Sequence, residues 1–106
     1  MLTNILNKLY EFSNIYIDII VDNKLKIASC SYIEEDKFGR FKPLIKLNPN
    51  LFPRNENILA YILAREWGQH YFKYVLIDQR YLNELEKEKN VSEFANKFIK
   101  IYDYTF

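Results

Sequence analysis

At 106 residues, with 49% apolar and 17% aromatic side chains, the chain has material for one packed core and too little for a second. Nine Tyr and eight Phe against two Gly argue for an ordered protein and exclude a disordered one. Fifteen basic and fourteen acidic residues nearly cancel and are interspersed, which excludes broad electrostatic binding of nucleic acid, a mode that needs a basic face to displace counterions.

Leu2, Ile5, Leu6, Leu9 and Phe12 fall at helical spacing and Ser13-Asn14 closes the run, so the first element is an amphipathic helix near Thr3 to Phe12 that covers a sheet. From Ile15 to Val21 apolar residues occupy every odd position, a strand pattern. Asp22-Asn23 offers a turn into a second strand around Lys24 to Tyr32, which would make a hairpin of the two. The charged run Glu34 to Arg40 predicts an exposed loop, followed by a third strand over Phe41 to Leu47, with Pro43 favouring an edge position.

Asn48-Pro49-Asn50 and Pro53 break the chain, and a helix should start at Asn55 to Asn57 under an asparagine cap. Its segment Ile58 to Ala64 is apolar all round, the pattern of a helix buried at the centre of a domain. Asp78 can cap a further helix, Gln79 to about Lys89, with Glu84, Glu86 and Glu88 as a solvated face. Asn90 would end it, and Ser92 would cap a last helix with Phe94, Ala95, Phe98, Ile99 and Tyr102 on its apolar side. The expectation is one α+β domain, 1–106: an N-terminal helix, a small three-stranded sheet, a buried central helix and two C-terminal helices. A lone Cys30 rules out an internal disulfide, and the N-terminal residues contain no uninterrupted apolar stretch for a signal or a membrane span, so a cytoplasmic protein is expected.

The central helix carries Leu63-Ala64-Arg65-Glu66-Trp67-Gly68-Gln69-His70-Tyr71. A working zinc-peptidase helix would read Ala-His-Glu-x-Gly-His, with two histidines one turn apart on the metal and the glutamate activating its water. Glu66 is kept, but Arg65 and Gln69 hold the histidine positions. A guanidinium has no lone pair to give and an amide is a poor zinc ligand. No catalytic residue is therefore expected beyond a vestigial Glu66, and no cofactor.

Three segments carry a family likeness. Leu44 to Pro49 resembles the extended stretch before the motif helix of the ImmA/IrrE metallopeptidases, Leu63 to Phe72 resembles the motif itself, and Glu93-Phe94-Ala95-Asn96-Lys97-Phe98 resembles the Glu-Ala-Asn-x-Phe-Ala signature of their closing helix. The resemblance implies a zincin-like fold and an origin on a phage or other mobile element. It also implies a third, acidic metal ligand three residues before the alanine, where this chain has Ser92. With up to three ligand positions changed, the shape would serve as a surface for a protein partner, a repressor or a host factor, and not as a hydrolase. The alternative is a zinc peptidase with unusual ligands cleaving a repressor-type regulator.

If any metal binds, Glu66 and His70, which are four apart, and Glu93 on the last helix are the candidate ligands. If none does, Arg65 has two fates: it pairs with Glu93 and bridges two helices, or it reaches out to solvent. Trp67 and Tyr71 share a face and are either a binding anchor or core. Tyr102, Tyr104 and Phe106 near the end of the sequence are further contact candidates, equally able to pack on the first helix.

Overall fold

The computed structural model describes residues 2–74 and 84–105. Within them the elements follow as α1 (Leu2–Ser13), β1 (Asp18–Val21), β2 (Ser29–Glu35), β3 (Phe41–Leu47), α2 (Glu56–Tyr74) and α3 (Glu84–Ile101), with a 3-10 turn at Pro49–Leu51. The class is α+β, as the sequence indicates. Ile5 and Leu9 bury the inner face of α1. Its end is set by Asn14, which takes a left-handed φ of 56° and donates its N–H to the Tyr10 carbonyl at 2.8 Å, a conformation asparagine tolerates better than most residues.

The sheet order is β1-β3-β2, with β1 parallel and β2 antiparallel to β3. The expected β1–β2 hairpin does not form. Asp22-Asn23 does turn the chain, but the Asp22 N–H donates to the Leu47 carbonyl at 2.8 Å, and Asn48 Nδ2 donates to the carbonyls of Asn23 (3.3 Å) and Leu25 (2.8 Å). The turn residues thus fasten β1 and its following loop to the end of β3, and β2 begins only at Ser29. Nor is β3 an edge strand. Pro43 is accommodated because β1 pairs with β3 only from Leu44 onward, so beside Pro43 the sheet has β2 alone.

Asn55 caps α2, its side chain accepting from the N–H groups of Asn57 (2.8 Å) and Ile58 (3.3 Å). The helix is not buried all round. Leu59, Ala60, Leu63, Ala64 and Trp67 form its covered stripe, whereas Ile58 is exposed and Tyr61 and Ile62 are half-buried. Of the two C-terminal helices expected, Asp78 and the start of the first lie outside the described residues. From Glu84 to Ile101 there is one continuous helix that runs through both Asn90 and Ser92. Its end follows a Schellman pattern: Asp103 adopts φ 60° and the Tyr104 N–H reaches back to the Ile99 carbonyl at 2.9 Å.

Trp67, fully buried, sits at the meeting point of these elements. Its Nε1 donates to Ser13 Oγ at 2.7 Å, and the ring of Tyr10 meets its indole edge-on at 4.9 Å. It belongs to one buried core with Ile5 and Leu9 of α1, Ile45 and Leu47 of β3, Leu63 of α2 and Phe98 of α3.

Candidate functional site

Successive residues on a helix diverge by about 100°, and the middle turn of α2 uses this to address two neighbours. Arg65 faces α3. Its Nη1 donates to Ser92 Oγ at 2.8 Å and its Nη2 forms an ion pair with Glu88. Desolvation opposes the charge, but the Glu88 carboxylate and Tyr61 outweigh it and hold the guanidinium pKa above its ordinary value. Glu66 faces β2 and accepts from Ser29 Oγ (3.3 Å) and from Ser31 Oγ, which also lies 3.2 Å from the Glu66 carbonyl. Both serines stand on the face of β2 that looks toward α2.

The Arg65–Glu93 pair is therefore corrected: the bridge exists, but its α3 partners are Ser92 and Glu88. Ser92 is four residues after Glu88, so both point to the same side of α3, while Glu93 is turned away and is exposed. Gln69, one turn after Arg65, is exposed. His70 is buried, with Nε2 2.9 Å from the Leu44 carbonyl. A carbonyl only accepts, so Nε2 carries the proton and has no lone pair to offer a cation. Glu66, His70 and Glu93 are not brought together: Glu66 addresses β2, His70 addresses β3, and Glu93 is exposed on α3 on the side of Phe12 and Tyr71. Among the described residues no three His, Cys, Asp or Glu side chains gather as a metal-ligand set.

The aromatic candidates divide. Trp67 and Tyr104 are core, not surface anchors; Tyr104 packs on Phe98 at 5.8 Å between centroids and accepts from Lys8 Nζ at 3.0 Å. Tyr102 is half-buried against Phe98 and Phe12. Phe106 lies outside the described residues. Tyr71 is half-buried and lines an open cleft of about 410 Å³ with Phe12, Phe72, Phe94 and the rim residues Glu93 and Lys97. Its rings interlock, Tyr71 with Phe94 at 5.0 Å and Phe12 with Phe94 at 5.1 Å.

Gly68 belongs to this arrangement, since a Cβ there would stand 3.0 Å from the Phe94 ring. The sequence singled out Tyr71 and Glu93 but not Phe12, Phe72 or Lys97, which join the cleft only through tertiary packing. Comparison with protein-family models, with curated proteins and with solved structures finds no match to this chain. What the site offers chemically is a fixed cation between two helices, a serine-held carboxylate and an aromatic cleft rimmed by one acid and one base.

Proposed function

We propose that the chain is a protein-binding module on a zincin-like, ImmA/IrrE-like frame, carried by a phage or other mobile element, cytoplasmic, and without hydrolytic chemistry. It would bind a repressor or host factor through the cleft between α1, α2 and α3, with Tyr71 as an anchor. The observation that carries this reading is the bridge from Arg65 to Ser92 and Glu88. At two of the three positions where the resemblance calls for metal ligands stand a guanidinium and the hydroxyl it donates to. The same turn commits Glu66 to Ser29 and Ser31.

The test is a zinc titration of protein purified without a histidine tag, followed by mixing with a repressor-type protein encoded beside it. The expected result is no stoichiometric zinc and a complex that survives Glu66→Gln but weakens about tenfold with Tyr71→Ala, the size of one interface anchor. Stoichiometric zinc that is lost on Glu66→Gln or His70→Ala would instead return the peptidase reading.

A further inference from the structure

We infer that the outer edge of β2 is a pairing surface for a second copy of this chain, the two β2 strands running antiparallel across a two-fold axis. β2 has β3 on one side only. At the ends of their ladder the Asn48 N–H donates to the Ala28 carbonyl and the Asp36 N–H to the Arg40 carbonyl, both at 2.9 Å. With the unbroken register from Ser29↔Leu47 to Glu35↔Phe41, this makes the even-numbered residues of β2 the ones bonded to β3. The N–H and C=O groups of Ser31, Ile33 and Glu35 therefore point away from β3, and they have no backbone partner among the described residues. Pro43, without an N–H to give, stands opposite Ile33, where the ladder asks for none. The edge so left is seven residues long and carries no proline, lysine or bulge, the usual devices that stop strands pairing.

The charges along this edge select the occupant. The residues leading into the strand are basic at Lys24 and Lys26, those at its end are acidic at Glu34 and Glu35, and all four are exposed. Lys26, Glu34 and Glu35 form no ion pair among the described residues; Lys42, opposite Glu34 in the ladder, is engaged by Asp18, and Asp36 at the tip of the β2–β3 hairpin by Arg40. A segment basic at one end and acidic at the other complements itself only when two copies run antiparallel. With Cys30 opposite Cys30 on the axis, the outward-facing backbone groups fall in register. Lys26 then meets Glu34 of the second copy and Ile27, 55% exposed, meets Ile33, each contact occurring twice by symmetry. Lys26 and Ile27 stay beside the start of the strand because Asn48 grips the Leu25 and Ala28 carbonyls on either side of them, at 2.8 and 2.9 Å. A net charge of +1 puts no general repulsion between copies.

No β2 residue lines the cleft, so this surface stands whether or not the cleft binds a partner. The test is sedimentation equilibrium of the whole chain over a range of concentrations, for the wild type, Lys26→Glu, Glu34→Lys, an equimolar mixture of those two variants, and Tyr71→Ala. Expected is a concentration-dependent dimer whose dissociation constant rises about tenfold for either charge reversal alone and is unchanged for Tyr71→Ala. In the mixture each reversed charge meets its opposite, and the constant returns to near the wild-type value. Because mixing cannot mend a misfolded chain, that recovery separates pairing from loss of fold. A monomer even at millimolar concentration, which would leave the edge to solvent or to a strand of another protein, would overturn it, as would a dimer indifferent to both reversals or a mixture no tighter than its components. A dimer lost with Tyr71→Ala alone would overturn it by moving self-association to the cleft.

Discussion

Ser13 holds more of the fold than its size suggests. Its hydroxyl donates to the Leu9 carbonyl at 2.7 Å and accepts from Trp67 Nε1 at 2.7 Å, both in the interior. Ser13→Ala strands a buried indole N–H, so a loss of about 1–3 kcal/mol is expected in urea unfolding. Gly68→Ala sets two effects against each other: about 1 kcal/mol gained in helix propensity and about 1–3 kcal/mol lost by forcing a Cβ to within 3.0 Å of the Phe94 ring. Because Phe94 is wedged among Phe12, Tyr71 and Phe72, it has little room to yield, and net destabilisation with altered cleft binding should follow. At Arg65 a double-mutant cycle should find coupling with Glu88 and none with Glu93. Side-chain exposures of 26% and 59% at Arg65 and Glu88 keep the expected coupling to about 0.5–1 kcal/mol after screening.

Some segment boundaries fixed by local chemistry were legible, whereas the start of β2, the boundaries signalled at Asn90 and Ser92, and the partnerships between elements were not. The third strand, Phe41–Leu47, and the asparagine cap of α2 follow from short-range pattern. The path of β1 does not, because Asp22-Asn23 is a good turn whether it leads into a hairpin or, as found, holds β1 against β3. Asn90 and Ser92 carry strong helix-boundary signals, yet α3 continues through them, since Ser92 Oγ receives Arg65 instead of capping its own helix. No local signal announces that Ser29 and Ser31 hold Glu66. One helix termination remains improvable: Asp103 is both left-handed at φ 60° and a negative charge at a helix C-terminus. Asp103→Gly removes both penalties and should stabilise by about 1 kcal/mol, read as a higher midpoint in thermal unfolding. At the hairpin tip, hydrogen bonds from the Arg40 and Phe38 amides hold the Asp36 carboxyl below its ordinary value of 3.8. The turn is thus supported above that value and loosens as pH falls through the lowered one. Protection of the Phe38 and Arg40 amides, taken relative to the intrinsic exchange rate at each pH, should therefore fall on acidification below about pH 4, the ordinary aspartate range.

The elements are tied together by contacts between distant parts of the sequence. Lys8 of α1 donates to Tyr104, Asn57 of α2 donates to the Thr105 carbonyl at 2.9 Å, and Tyr104 rests on Phe98 of α3, so the residues after α3 clasp all three helices. No helix among the described residues is long and apolar enough to cross a membrane. The strand order has a practical reach. β1 joins the sheet only through β3, and α1 is anchored by Ile5, Leu9 and the Ser13–Trp67 bond, none of which depends on the peptide linkage between β1 and β2. That linkage passes through exposed Asn23 and Lys24, with Asn48 gripping carbonyls on either side of the Lys24–Leu25 bond. Trypsin nicking after Lys24 should leave two pieces that still elute together on gel filtration. Expressed separately, the α1–β1 piece and the remainder would form a split pair whose reassembly reports on proximity.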